Sequence, residues 1–299
     1  MAERWFITGA AGQLGGHVVA ALLAEGRDDV EILALIRSVA TGAAGVREVQ
    51  IDLADLDALT DCVRRWRPTH IVHAGALSAV GACYQDPDTA RRVNTDATAA
   101  LAEAAGEVGA RMVYTSTDMV FDGDRAPYRE SDPPAPVNVY GRTKAEAERR
   151  LAQREHVVIV RLPLLYGLPA TARSTTFVQQ LAAARSGEPV RLFDDEYRTP
   201  VFLPDAARAV IALAREGPGG QIVHVAGPQR LSRYDLVARI VELLDIRRAK
   251  LERISRLSID APEPRPADLS LDGSRFCAMF PHCAPRSLGP ELARAWTHP

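Results

Sequence analysis

The chain has 299 residues, 47% of them apolar and 25% charged, with 36 basic against 38 acidic side chains. That composition excludes a disordered chain and leaves room for one large α/β domain, alone or with a smaller lobe. A net charge of −2 offers no basic field for nucleic acid, and no apolar run is long enough to span a membrane.

In chain order, strands are predicted at 5–8, 31–36, 46–51, 70–73, 111–115 and 157–161. Between them lie predicted helices at 13–25, 56–66, 87–108 and 139–153. Strands that alternate with long crossovers imply a parallel sheet covered by helices. The strand-like start leaves no room for a signal peptide, so the expectation is a cytoplasmic protein. After Gly167 the alternation weakens, with helices expected at 176–186, 204–215 and 233–244, a strand at 222–225 and an extended loop at 260–266. The expected fold class is α/β, a Rossmann-type doubly wound parallel sheet with a smaller, interleaved C-terminal substrate lobe. Residues 1–166, with 202–226 returning to them, are expected to form the nucleotide-binding domain. Residues 167–201 and 227–299 are expected to form the substrate lobe.

The first helix is opened by Thr8-Gly9-Ala10-Ala11-Gly12-Gln13-Leu14-Gly15, in the place a phosphate-binding loop occupies after a first strand. Gly9 suits a tight turn, Gly12 an approach of backbone N–H groups to a pyrophosphate, and Gly15 close helix–strand packing; Gln13 and Leu14 open the helix. The second strand ends in Arg37-Ser38 with no acid at the place that would bind a ribose 2′-hydroxyl. Arg37 offers charge and Ser38 a hydroxyl to a 2′-phosphate, so NADP(H) is favoured over NAD(H). Asp52-Leu53 closes the third strand where a carboxylate meets an adenine amino group. The small residues Ala74-Gly75-Ala76 let backbone run close beside the cofactor after the fourth.

Only two of the basic residues are lysines, and Lys144 stands four residues after Tyr140. On a helix that spacing puts phenol and ammonium on one face. A nearby ammonium is expected to lower the phenol pKa and suit the pair to proton exchange with a carbonyl or alcohol oxygen. Ser116-Thr117-Asp118, directly after the fifth strand, places hydroxyls where an open sheet binds its ligands. Cys277, His282 and Cys283 lack zinc spacing and read as a loop-rich tail, and no metal is expected.

Together these residues resemble the extended short-chain dehydrogenase/reductases. Within that group the chain is similar to dTDP-4-dehydrorhamnose reductases and to regulatory β subunits of methionine adenosyltransferase. The likeness rests on the stretches 12–15, 116–123, 134–144 and 265–272. It implies Tyr140 as catalytic acid, Lys144 as its partner and ribose holder, and Thr117 beside Asp118 on the reacting substrate. It implies Asn94, among the cofactor-binding residues, as the asparagine that shapes the site or its proton relay, and Arg198 near a substrate diphosphate. A homodimer and a nucleotide-sugar substrate are the family-based expectations. The chain departs from rhamnose-forming reductases at Arg161-Leu162-Pro163-Leu164, which lacks the aromatic that would flank the sugar. The leading expectation is an NADPH-dependent reductase of a nucleotide-linked 4-keto-6-deoxysugar. An NAD(P)-dependent epimerase and a non-catalytic NADP-binding subunit are the alternatives; a dehydratase is disfavoured because Met119 stands where an acid is needed.

Overall fold

The computed structural model describes residues 2–289, so the last ten residues of the expected substrate lobe lie outside it. Seven parallel strands form the central sheet, in the order β11-β6-β5-β4-β1-β2-β3. They are β1 (Glu3–Thr8), β2 (Val30–Ile36), β3 (Arg47–Gln50), β4 (His70–His73), β5 (Arg111–Thr117), β6 (Val157–Leu162) and β11 (Gln221–His224). The period-two alternation of β1 serves both faces. Trp5 and Ile7 pack with α1 (Gln13–Ala24) and α8 (Leu203–Glu216) on one side. Phe6 packs on the other with α2 (Leu56–Trp66), α5 (Ala97–Val108) and α6 (Val139–Leu151). The sheet is thus doubly wound, as the alternating pattern implied.

The long crossover between β4 and β5 departs from the sequence reading. A short helix, α3 (Val80–Gln85), lies within it where none was expected, and 87–108 is not uniform. It begins as α4 (Pro87–Arg91), passes through a π-helical turn at Arg92–Asp96 and continues as α5. Helical periodicity alone does not reveal one extra residue in a turn, and such turns occur mostly at functional sites.

Strand β5 runs two residues beyond expectation, so Ser116 and Thr117 end the strand rather than follow it. The second half of the chain alternately leaves the sheet and returns. It leaves through β7 (Leu165–Tyr166), α7 (Thr176–Ser186), β8 (Pro189–Phe193) and β9 (Tyr197–Arg198). It returns through β10 (Val201–Phe202), α8 and β11, then departs again as β12 (Leu231–Ser232), α9 (Arg233–Leu243) and β13 (Lys250–Ile254). β13 pairs with β8 and β12 with β9, closing small ladders away from the main sheet. These strands are two to five residues long and too short to show a period of their own.

Candidate active site

Parallel register brings the predicted cofactor residues to one edge. Thr8 pairs with Leu35 of β2 and with His73 of β4, so Gly9, Arg37 and Ala74-Gly75-Ala76 lie at neighbouring strand ends. Ile51 N–H donates to the Ile36 carbonyl, carrying Asp52-Leu53 to the same edge. Gly9 has φ +65°, and a Cβ there would stand 2.7 Å from the Gly75 nitrogen, so only glycine fits the turn. Gly12 is the N-cap of α1 without a capping side chain, and no acid occupies the first turn. The helix start therefore keeps backbone donors and the positive end of its dipole for an anion. Arg37 and Ser38 are exposed beside that turn.

Beneath the edge runs a buried hydrogen-bond chain. Gly75 N–H donates to Thr8 Oγ1 (3.0 Å), which meets His73 Nδ1 at 2.7 Å; His73 Nε2 meets Thr98 Oγ1 at 2.9 Å. Thr98 donates to the Asn94 carbonyl, so His73 is consistently the Nε2–H tautomer, accepting from Thr8 and donating to Thr98. Burial, with the Lys144 charge adding to it, pushes His73 down to about 3 and keeps the ring neutral. Asn94 sits on the π-helical turn. Its amide accepts from Leu77 N–H and donates to the Leu77 carbonyl and to Thr143 Oγ1, so both donors are used. Its visible work is to hold the segment after β4 against α6.

Helix α6 presents the Tyr–Lys pair. Asn138 caps it through Gly141 N–H at 2.8 Å, and a Cβ on Gly141 would stand 2.1 Å from the Met119 carbonyl oxygen. The glycine after Tyr140 thus lets the helix lie against the turn that follows Thr117. Tyr140 is half-buried, and its phenol lies near the Thr117 hydroxyl, which donates to Asp118 Oδ1 at 3.0 Å. Lys144 is buried, donating to the Thr115 carbonyl at 2.6 Å and lying 4.2 Å from the centre of the Tyr114 ring. Burial draws its ammonium down to about 7, while the Glu148 carboxylate pulls the other way.

The expected lowering of the Tyr140 pKa is not what the structure shows. Burial raises the phenol well above its ordinary value, the Asp118 charge adds to that, and the hydrogen bond with Thr117 opposes it. The Lys144 ammonium is engaged by the Thr115 carbonyl and the Tyr114 ring, and spacing alone does not reveal those competitors. The consequence is a phenol that stays protonated at neutral pH.

One turn beyond Lys144, Glu148 ties the helix to the sheet. It accepts from Ser116 Oγ at 2.5 Å and from Arg161 Nη2 at 2.7 Å, with both partners of the ion pair almost fully buried. Arg161 also lies over the Phe121 ring and beside His224.

Thr117 opens into a cavity of about 520 Å³ lined by Asp118, Asn138, Arg198, Arg233, Glu263 and Arg265, among others. Arg198 is buried and pairs with buried Asp118, Nε to Oδ2 at 3.2 Å. Asp118 is raised by burial, which the Arg198 charge opposes. Arg265 and Arg233 both face Glu196, at 2.6 and 3.7 Å. Burial beside Arg198 lowers the Arg233 guanidinium to about 10. Pro163 and Leu164 line the cavity where an aromatic was noted as missing. The sequence reading named Arg198, took Arg265 only as the start of a family-like stretch, and passed over Arg233, Glu196 and Glu263. Their one visible signal was arginine beside proline and at a helix start, which is common on ordinary surfaces.

Among the described residues no His/Cys/Asp/Glu group could hold a metal, and no helix is long and apolar enough to cross a membrane. A doubly wound parallel sheet, a glycine-built first turn and a fifth-strand hydroxyl facing a Tyr-x-x-x-Lys helix define an extended short-chain dehydrogenase/reductase, an NAD(P)-dependent oxidoreductase class. More narrowly, the chain belongs to the RmlD substrate binding domain family, whose model it matches over residues 3–294. It is 31% identical to a dTDP-4-dehydrorhamnose reductase of Mycobacterium tuberculosis over 92% of this chain and 86% of that protein. It is 29% identical to the methionine adenosyltransferase 2 subunit beta of Pongo abelii, over 76% of this chain and 70% of that one. A solved structure of a hypothetical dTDP-4-dehydrorhamnose reductase from Sulfolobus tokodaii superposes with a TM-score of 0.82 at 28% identity, covering 97% of this chain and 98% of its own.

Proposed function

We propose that the protein is an NADPH-dependent reductase of the keto group of a nucleotide-linked 4-keto-6-deoxysugar. The observation that carries this reading is that Thr117, beside the Tyr140 phenol, lines an arginine-walled cavity. The reductase named among the relatives supports it. The same reading assigns residues 1–166 with 202–226 to cofactor binding, and 167–201 with 227–299 to the substrate.

The strand-end edge fits a dinucleotide, because Gly9 packs against Gly75 where a Cβ would collide and α1 starts uncapped. Gly9, Gly12, Gln13, Leu14 and Gly15 would hold the pyrophosphate, and Asp52 with Leu53 the adenine. Arg37 and Ser38 would meet the 2′-phosphate, and Ala74-Gly75-Ala76 would flank the nicotinamide half. Bound there, NADPH supplies a hydride to the carbonyl carbon. Thr117 holds the carbonyl oxygen by its hydroxyl. Tyr140, protonated at neutral pH, gives its proton to that oxygen as negative charge develops. Lys144 supplies positive charge beside the phenol and holds the ribose. Arg198, Arg233 and Arg265 receive the substrate's diphosphate, with Asp118 and Glu196 holding their guanidinium groups in place.

The test is NADPH oxidation by purified protein across a panel of nucleotide-linked 4-keto-6-deoxysugars. Turnover of at least one is expected, and silence across the panel with either cofactor overturns the reading. The likeness to a regulatory beta subunit favours a second reading, nucleotide binding without turnover. The complete set of Thr117, Tyr140 and Lys144 weighs against it.

A further inference from the structure

Strand β5 and helix α6 meet in matching steps. Side chains on one face of a strand recur every second residue, about 6.6 Å apart, and those along one helix face every fourth, about 6 Å apart. Tyr114 and Ser116 of β5 can therefore face Lys144 and Glu148 of α6 in turn, and both meetings occur. Ser116 Oγ donates to Glu148, and the Lys144 ammonium lies 4.2 Å from the centre of the Tyr114 ring, over its face. Between these two side chains the Thr115 carbonyl accepts from Lys144 Nζ at 2.6 Å. The proposed mechanism gives Lys144 two tasks and Tyr114 none.

Lys144 and Tyr114 are both buried, so the ammonium must be held without water. The groups around it offer little charge. His73 of β4, stacked on Tyr114 with ring centres 5.8 Å apart, is kept neutral by burial. Asp118 after β5 and Cys83 of α3 act on the Tyr140 phenol, one turn back on α6. Among the described residues the Glu148 carboxylate is the charge that favours the ammonium, and it is shared with Ser116 and with Arg161 of β6. What else touches the ammonium is the Thr115 carbonyl and the negative face of the Tyr114 ring, whose attraction for a cation grows when water is excluded.

We infer that Tyr114 is a positioning residue: its ring face and the Thr115 carbonyl together clamp the Lys144 ammonium. An ammonium has three N–H donors. The carbonyl takes one and the ring lies against a second, which leaves the third for the cofactor ribose. The same clamp keeps positive charge beside the phenol. This rests on the reductase reading above and deepens it, by naming what aims the lysine and keeps it charged.

The chain's two lysines make the test direct, because lysine labelled with carbon-13 at Cε gives two NMR signals, from Lys144 and from exposed Lys250. Lys250→Arg assigns them. Titration of the full-length protein then reads Lys144 with no substrate or cofactor present. Tyr114→Phe keeps the ring face and is expected to titrate close to wild type. Mono-, di- and trifluorinated phenylalanine placed at position 114 drain that face of negative charge with little change in size, so packing is kept. The Lys144 pKa is expected to fall stepwise along the series, by about one pH unit in all, a tenfold change in the protonation equilibrium. The alkaline limb of kcat/KM, which reports the free enzyme, moves down with it for any ketosugar that the panel shows to be turned over. A flat Lys144 titration across the series overturns the inference, as does a limb that stays in place while the signal moves. If the signal moves and no ketosugar is reduced, the clamp stands and the reductase reading alone falls.

Discussion

The strand-end edge proposed to hold the cofactor and the cavity proposed to hold the substrate are built in different ways. The edge comes from the ends of β1, β2, β3 and β4, neighbours in one sheet, and its contacts are mostly backbone and small side chains. The cavity is assembled from the turn after β5, the start of α6, residues 196–198, the start of α9 and the loop at 260–266. Its walls are charged: Arg198 and Asp118 pair out of water, while buried Glu196 is held by a part-exposed Arg265. The first region needs a shape that glycine permits, whereas the second needs long side chains brought together over more than a hundred residues. Changes on the edge should therefore alter which cofactor is used, and changes in the cavity which substrate.

The largest expected effect falls where the two regions meet. Tyr140→Phe removes the proton that both regions converge on and keeps most of the packing. The expected result is a kcat lower by about 10²–10⁴-fold, the usual worth of a positioned general acid, with NADPH affinity within a few-fold of wild type. Steady-state rates and cofactor titration check both halves. Wild-type turnover in this variant would remove Tyr140 from the chemistry.

Next in size is the buried pair that fastens α6 between the regions. Glu148→Ala leaves the Arg161 guanidinium, 1% exposed, without its carboxylate. Breaking a buried pair from one side costs about 3–5 kcal/mol, because the surviving charge stays desolvated. Urea denaturation at neutral pH measures it. A loss below about 1 kcal/mol would mean that water reaches Arg161 and that α6 is held by packing alone.

How far each region could be read from the sequence follows the same division. The edge was legible because Gly9, Gly12 and Gly15 lie within one turn and Tyr140 and Lys144 within another; short spacings carry their geometry with them. Thr117 was legible as a hydroxyl at a strand end, although the strand proved to include it. The cavity was not, since nothing local to Glu263 says that it reaches Val139, more than a hundred residues earlier in the chain. The π-helical turn under Asn94 was hidden too, because the residues on either side keep an ordinary helical pattern. The raised phenol was missed for a different reason. Proximity of an ammonium was visible, but not the Thr115 carbonyl that competes for it or the Asp118 charge that opposes a phenolate.

Arg37 tests whether the edge alone sets cofactor choice. A contact with the 2′-phosphate is charge-assisted and absent with NADH, which makes it worth about 1.5–3 kcal/mol, or roughly ten- to a hundred-fold in preference. Arg37→Asp should reverse the preference by repelling the phosphate and offering a carboxylate to the free ribose hydroxyls. kcat/KM for both cofactors, at one ionic strength because exposed charges are screened, gives the answer. A ratio that moves less than about threefold would leave the proposed NADPH preference without its main support.

The smallest effect is read through two buried histidines, one below the edge and one away from it. His73 lies below the edge, and His224 lies behind Phe121 beside Arg161. Burial, together with the Lys144 charge for one and the Arg161 charge for the other, pushes both down to about 3. Each ring is neutral in the folded protein, while the unfolded chain takes up a proton at its ordinary pKa near 6.5. Below that value the unfolded state binds more protons, so stability falls as pH drops from about 6.5 toward 3 and is fully present above that window. Between pH 7.5 and 5.5 each histidine should cost about 1.4 kcal/mol of folding free energy. Replacing one by Gln lowers stability at both pH values but removes its share of the acid dependence, so the difference between the two pH values shrinks by about 1.4 kcal/mol. Urea unfolding of His73→Gln and His224→Gln at the two pH values reads each share separately. Equal shrinkage means that both regions exclude water equally well. If only His73 contributes, the edge is sealed and water reaches His224 behind Phe121.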